Sequence, residues 1–218
     1  MSAQDTMEPQ KRTGLSLFAH VLITRLLTLI ALNLLFCATA LPVVTLPNSL
    51  AALYRCAGLA LREEDFPLVK TFFGAFVSEF WKTLAAGWLM LMLLFGAIFG
   101  AVFYWSIEAS FALPLAIFCA VLAVFLYAAC CQLFYLLSRV QLSFGALIKN
   151  AFLLVFLQPL GKTVLCVASL AVLVVSAWFA PTSLPIIVLI ACALSALLAC
   201  MGVSEFIEKR IVSYRSLL

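Results

Sequence analysis

Charge is scarce in this chain of 218 residues: Lys and Arg together number 13, Asp and Glu nine, and histidine occurs once, as His20. Only 10% of the residues are charged, against ~25% in a water-soluble domain, so the chain cannot coat a soluble core. Chemical motifs are missing too. There is no H-E-x-x-H, Walker loop, G-x-G-x-x-G or C-x-x-C. No carboxylate pair falls inside an apolar run, and no nucleophile stands at a recognisable spacing from a base. These absences remove the usual hydrolytic, nucleotide and metal sites. The expectation is a non-enzyme with no catalytic, cofactor-binding or metal-ligating residue to name and no nucleic-acid partner.

What is abundant is apolar surface. Hydrophobic residues make up 67% of the chain and the mean hydropathy is +1.23, which marks an integral membrane protein whose first partner is the lipid bilayer. A charge at the bilayer centre costs at least ~2.5–3.5 kcal/mol, so spans are sought where charge is absent. Such windows lie between Arg25 and Arg55, Lys82 and Glu108, Glu108 and Arg139, and from Thr163 to Ser204. Pro181 and Pro185 divide the last into two helices joined at Ala180-Pro181-Thr182-Ser183. The chain therefore reads as one all-α, membrane-embedded helix bundle over residues 1–218. A polar segment covers 1–20, and about five transmembrane helices lie near 21–43, 83–105, 112–137, 162–180 and 184–203.

Basic residues give the sidedness, because Lys and Arg stay on the cytoplasmic face. They cluster before the first span, between spans one and two, between spans three and four (Arg139, Lys149, Lys162) and in the tail (Lys209, Arg210, Arg215). The segments around Glu108 and Pro181 have none. The 138–162 loop and the C-terminus are expected inside. One conflict results: both flanks of the first window are basic, yet a single crossing separates them. Either the chain breaks at Pro42 to Pro47 and returns as a helix over Asn48 to Leu61, or the N-terminus is outside. Cleavage after Ala38-Thr39-Ala40 is a third option. In the returning form, Thr45 would satisfy backbone groups at the break and Asn48 and Ser49 would cap the helix.

Two connectors read as amphipathic elbows, 67–82 and 143–158. In the first, Val69, Phe72, Phe73, Phe76 and Phe80 recur at helical spacing opposite Lys70, Thr71, Gly74, Ser78 and Lys82. A weak repeat relates Ala75-Phe76, Phe80 and Lys82-Thr83 to Ala151-Phe152, Phe156 and Lys162-Thr163. The eight cysteines mostly lie in apolar windows and are read as packing residues. Gly96 and Gly100 form a G-x-x-x-G through which helices approach closely, within one chain or between two copies in an oligomer. Asn33 and Gln132 are polar groups in apolar windows, suited to tying helices together or to lining a pathway. No Asp, Glu, Lys or Arg stands mid-window to couple ions.

Asn33, Leu41-Pro42-Val43-Val44-Thr45-Leu46-Pro47, Ala51-Ala52-Leu53-Tyr54, Phe72-Phe73 and Phe80 together resemble the YesL family of bacterial integral membrane proteins. The stretch Leu142-Ser143-Phe144-Gly145-Ala146-Leu147-Ile148-Lys149-Asn150-Ala151 is similar to it as well. The likeness runs from about residue 20 to about residue 205 and is most specific from Asn33 to Tyr54. It implies a multi-pass protein of the bacterial cytoplasmic membrane. The family has no established biochemical activity; its association with carbohydrate uptake and breakdown genes implies an accessory role beside sugar-transport components. It supplies no catalytic residues. Asn33, Pro42, Thr45, Pro47, Tyr54, Arg55 and Gln132 are the candidate functional or structural residues. The rival expectation is a small-molecule permease with a polar pathway between helical hairpins.

Overall fold

The computed structural model describes residues 15–109, 111–157, 160–178 and 190–215, with the backbone alone at 15, 160–163, 177 and 205–215. The chain order is α1 (Leu15–Thr24), α2 (Leu26–Ala40), a 3-10 turn (Val43–Thr45), α3 (Leu46–Leu61), α4 (Leu68–Val77), α5 (Phe80–Trp105), α6 (Ala112–Arg139), α7 (Phe144–Leu157), α8 (Leu160–Trp178) and α9 (Cys192–Arg215). The architecture is all-α. Residues 1–14, the turn at 180–183 and the start of the 184–203 window lie outside the described residues.

Helices α5 and α6 are long and apolar enough to cross a membrane. Their 26 and 28 residues reach ~39 and ~42 Å, beyond the ~30 Å hydrocarbon core. Helices α1 and α2 qualify only as a pair, bent by 79° at Arg25. Among the described residues there are thus two to three candidate spans, with shorter apolar helices, Val164–Ser176 and Cys192–Ser204 among them, in the windows expected at 162–180 and 184–203. A charge-free window sets a maximum length of buried chain and does not require it to be straight.

The first window is the clearest case. Helix α2 ends at Ala40, Pro42 is extended (φ −74°, ψ 92°), and α3 packs back against α2. At the base, the Arg25 guanidinium donates to the carbonyl oxygens of Glu63 (3.0 Å) and Glu64 (2.8 Å) and to Asp65 Oδ1 (2.9 Å), just beyond the end of α3. The ends of the segment meet, so it is a hairpin. Its arms, 15 and 16 residues long, measure ~23 Å each, less than the hydrocarbon core. Basic residues at the two ends of the window thereby share one end of the molecule.

Helix α3 is the hub, buried over almost its whole length and packed against α2, α4, α5, α6 and α9. Ala51, Ala52, Ala57, Gly58 and Ala60 make this possible, since small side chains let helix backbones approach. Burial on the α5–α6 hairpin is lopsided. Residues 128–136 of α6 are buried without interruption, whereas Leu113, Leu115, Ile117, Phe118, Val121 and Val124 face outward. The buried positions of α5 likewise fall in its first two thirds, from Thr83 to Ala97. The far end of the hairpin presents Phe99, Val102, Phe103 and Trp105, an apolar surface suited to lipid.

The first elbow is shorter than its periodicity suggests. Helix α4 stops at Val77, Ser78 is extended, Glu79 is left-handed (φ 48°) and α5 starts at Phe80. The expected apolar stripe is divided between two faces. Phe72 and Phe76 pack inward with Leu68 and Ala75, while Val69, Phe73 and Val77 are exposed. The second elbow is α7, which buries Leu147 and Ala151 and sets Phe152 and Phe156 against Phe125 of α6 at 6.0 and 5.1 Å.

Candidate functional site

Three polar places stand out, and the seven candidate residues are distributed among them. The first is the break between α2 and α3. The Thr45 hydroxyl donates to the carbonyl oxygen of Thr39 (2.6 Å), a backbone acceptor at the prolyl break, and also reaches that of Pro42 (2.8 Å), which accepts the Thr45 N–H as well (2.7 Å). The Val44 carbonyl is taken by the indole N–H of Trp88 at 2.9 Å. Pro47 lies in the first turn of α3, where its missing N–H costs nothing, and faces Gly87 of α5. Asn48 does not cap α3. It is fully buried and its side-chain amide donates to the carbonyls of Phe76 (3.1 Å) and Phe80 (3.3 Å), tying down the α4–α5 elbow. Ser49 does not cap either; its hydroxyl bonds back to the Thr45 carbonyl.

The second place is the bundle interior. Asn33 is fully buried, and its Oδ1 accepts the backbone N–H of Ala193 at 2.8 Å, satisfying a donor in the first turn of α9. Tyr54 on α3 donates its hydroxyl to Cys131 Sγ at 3.3 Å, beside Gln132, which is 1% exposed. Tyr127 and Ser169 share a 2.8 Å hydrogen bond, and Ser195 donates to the Ser169 carbonyl at 3.1 Å. These contacts link α2, α3, α6, α8 and α9 to one another. All eight cysteines are free thiols.

The third place is a cavity of about 400 Å³ lined by α3 (Ala51, Arg55), the inner face of α4, Glu79 and Thr83 at the elbow, and residues 137–141 at the end of α6. Arg55 lies nine residues into α3 and donates through Nη1 to the Ser138 carbonyl. Its other guanidinium N–H groups have no partner among the described residues. Arg139 also lines the cavity, its guanidinium carbon 5.9 Å from the centre of the Tyr135 ring. The only lining carboxylate among the described residues is Glu79, already paired to Lys82 at 2.8 Å. Thr71, Ser78, Thr83 and Gln141 add polar side chains. The arrangement suits binding of a small polar or anionic species and contains no nucleophile paired with a base.

Of the candidate residues, only Arg55 reaches this cavity; Pro42, Thr45 and Pro47 build the break, Asn33 and Tyr54 join helices in the interior, and Gln132 is buried there beside Cys131. Sequence reasoning missed Asn48 as an elbow tie, Trp88, Gly87 and the polar face of α4 as cavity lining. That face was visible as Thr71, Gly74 and Ser78 at i, i+3 and i+7, read there only as the side of an amphipathic elbow opposite its apolar stripe. Gly100 is occupied within the chain: a Cβ there would lie 3.1 Å from Cys119 Sγ of α6, whereas one at Gly96 would meet nothing within 4 Å.

No curated protein and no solved structure matches the chain. A family model does match, over the segment that holds most of α2, the break, α3, α4 and the whole of α5. That model is described as a protein of unknown function, DUF624, and over residues 29–107 the chain is similar to this family of YesL-like membrane proteins.

Proposed function

We propose that this is a non-enzymatic protein of the bacterial cytoplasmic membrane, an accessory to carbohydrate transport or utilisation, working through the cavity between α3, the α4–α5 elbow and the end of α6. The cavity is the observation that supports the reading: it concentrates Arg55, Arg139 and hydroxyl side chains at the basic end of the bundle. In this reading α5, α6, α8 and α9 cross, α2–α3 is a re-entrant hairpin, and both termini lie on the cytoplasmic side with the cavity. The permease reading receives less support, because Asn33 and Gln132 are buried in the bundle interior and do not line the cavity around Arg55.

A photo-crosslinking residue at Lys70, exposed on α4 beside the cavity, tests it by affinity purification from native membranes. Capture of a sugar-transport subunit is the expected result. Sugar uptake by the purified protein alone in proteoliposomes refutes the accessory role in favour of the permease.

A further inference from the structure

We infer that the cavity is a binding site for the phosphate group of a small water-soluble molecule, with Arg55 as the principal anchor. The inference rests on the reading of this end as the working, cytoplasmic face. Arg55 is a cation set well inside a helix whose other residues are nearly all buried. It uses one guanidinium nitrogen to hold the chain at Ser138 and leaves the rest of a planar donor fork for a ligand. That fork matches phosphate oxygens in pairs. Among the described lining residues the Arg55 guanidinium meets a single carboxylate, and Lys82 already neutralises it. Thr83 is only 3% exposed and lines the cavity, where its hydroxyl can donate to a ligand oxygen. A volume of about 400 Å³ admits a phosphate with a small organic group attached.

The faces of α4 decide where that phosphate comes from. Thr71, Gly74 and Ser78 border the cavity, whereas Val69, Phe73 and Val77 form the exposed stripe on the other side of the helix. Lipid meets the apolar stripe, so a lipid headgroup would have to pass around α4 to reach Arg55. A soluble phosphate ester enters directly from the aqueous side.

The test uses the full chain purified in an uncharged detergent, titrated calorimetrically with inorganic phosphate and with glycerol 3-phosphate. Saturable binding is expected, at least tenfold weaker in Arg55→Gln, partly restored in Arg55→Lys and unchanged in Lys149→Gln. Ser78→Glu keeps both arginines and the Ser138 contact while adding a negative charge at the rim; it should abolish binding, and it decides the matter if Arg55→Gln fails to fold. Absence of binding, equal binding by wild type and Ser78→Glu, or stabilisation only in nanodiscs containing phosphatidylglycerol overturns the inference. Impermeant labelling of Gln141→Cys in intact cells tests the underlying reading separately. Labelling from outside removes the cytoplasmic face, whereas an empty titration with no such labelling removes the phosphate alone.

Discussion

Gly87→Ala should destabilise the protein although alanine is the better helix former. Gly87 lies in the interior of α5, where exchange for alanine ordinarily contributes ~1 kcal/mol of stability. Here a Cβ would sit 2.4 Å from Pro47 Cβ, 3.2 Å from Pro47 Cγ and 3.3 Å from Phe134 Cε1. The nearest of these contacts is more than 1 Å inside the ~3.5–4.0 Å at which carbon atoms attract. Pro47 cannot rotate away, because its ring is part of the α3 backbone, so α5 must move off both α3 and α6. Overpacking of this kind costs ~1–3 kcal/mol, and the displacement also stretches the Trp88 bond to Val44, one residue along. The net expectation is a loss of ~1–2 kcal/mol, or about 2–8 °C in Tm for a chain of this size. Gly96→Ala is the internal control: its Cβ would meet nothing within 4 Å, so only the helical gain remains and Tm should hold or rise. Thermal unfolding in detergent, followed by tryptophan fluorescence, measures both. A Gly87→Ala protein as stable as Gly96→Ala would refute the close approach of α5 to Pro47.

Asn33→Leu should lower stability by ~0.6–2 kcal/mol, since it leaves the Ala193 N–H at the head of α9 without its acceptor; the same fluorescence melt reads it, and an unchanged Tm removes Asn33 as the tie between α2 and α9. Phe76→Asp should impair membrane assembly more than Ser78→Asp, because Phe76 packs on the core and its carbonyl is held by Asn48, whereas Ser78 is exposed; equal expression and detergent stability of the two would contradict the elbow. A reporter fused ahead of residue 20 should be active in the cytoplasm, as the Arg25 link to Glu63, Glu64 and Asp65 requires of a returning hairpin, and periplasmic activity with a cytoplasmic C-terminus would restore a simple crossing.

Composition and the placement of charge were enough to determine that the chain is all-α with helices apolar enough to cross a membrane, because an unpaired charge or an open backbone group in hydrocarbon costs too much to occur often. The same reasoning located the break at Pro42 to Pro47, since a prolyl ring excludes its own hydrogen bond wherever the chain goes next. Periodicity was less decisive at α4. An apolar arc wide enough to face both core and lipid has the same pattern as a single stripe, so the division between Phe72 and Phe73 came only from packing. Tertiary structure alone decided the hairpin formed by α2 and α3, the closure by Arg25, the elbow tie by Asn48 and the cavity around Arg55. Each joins groups at least 28 residues apart, as Asn48 and Phe76 are, or 83 apart, as Arg55 and Ser138 are. Local propensity and hydropathy act over a helical turn or a span, and no term in them records which distant carbonyl a buried amide or guanidinium will meet.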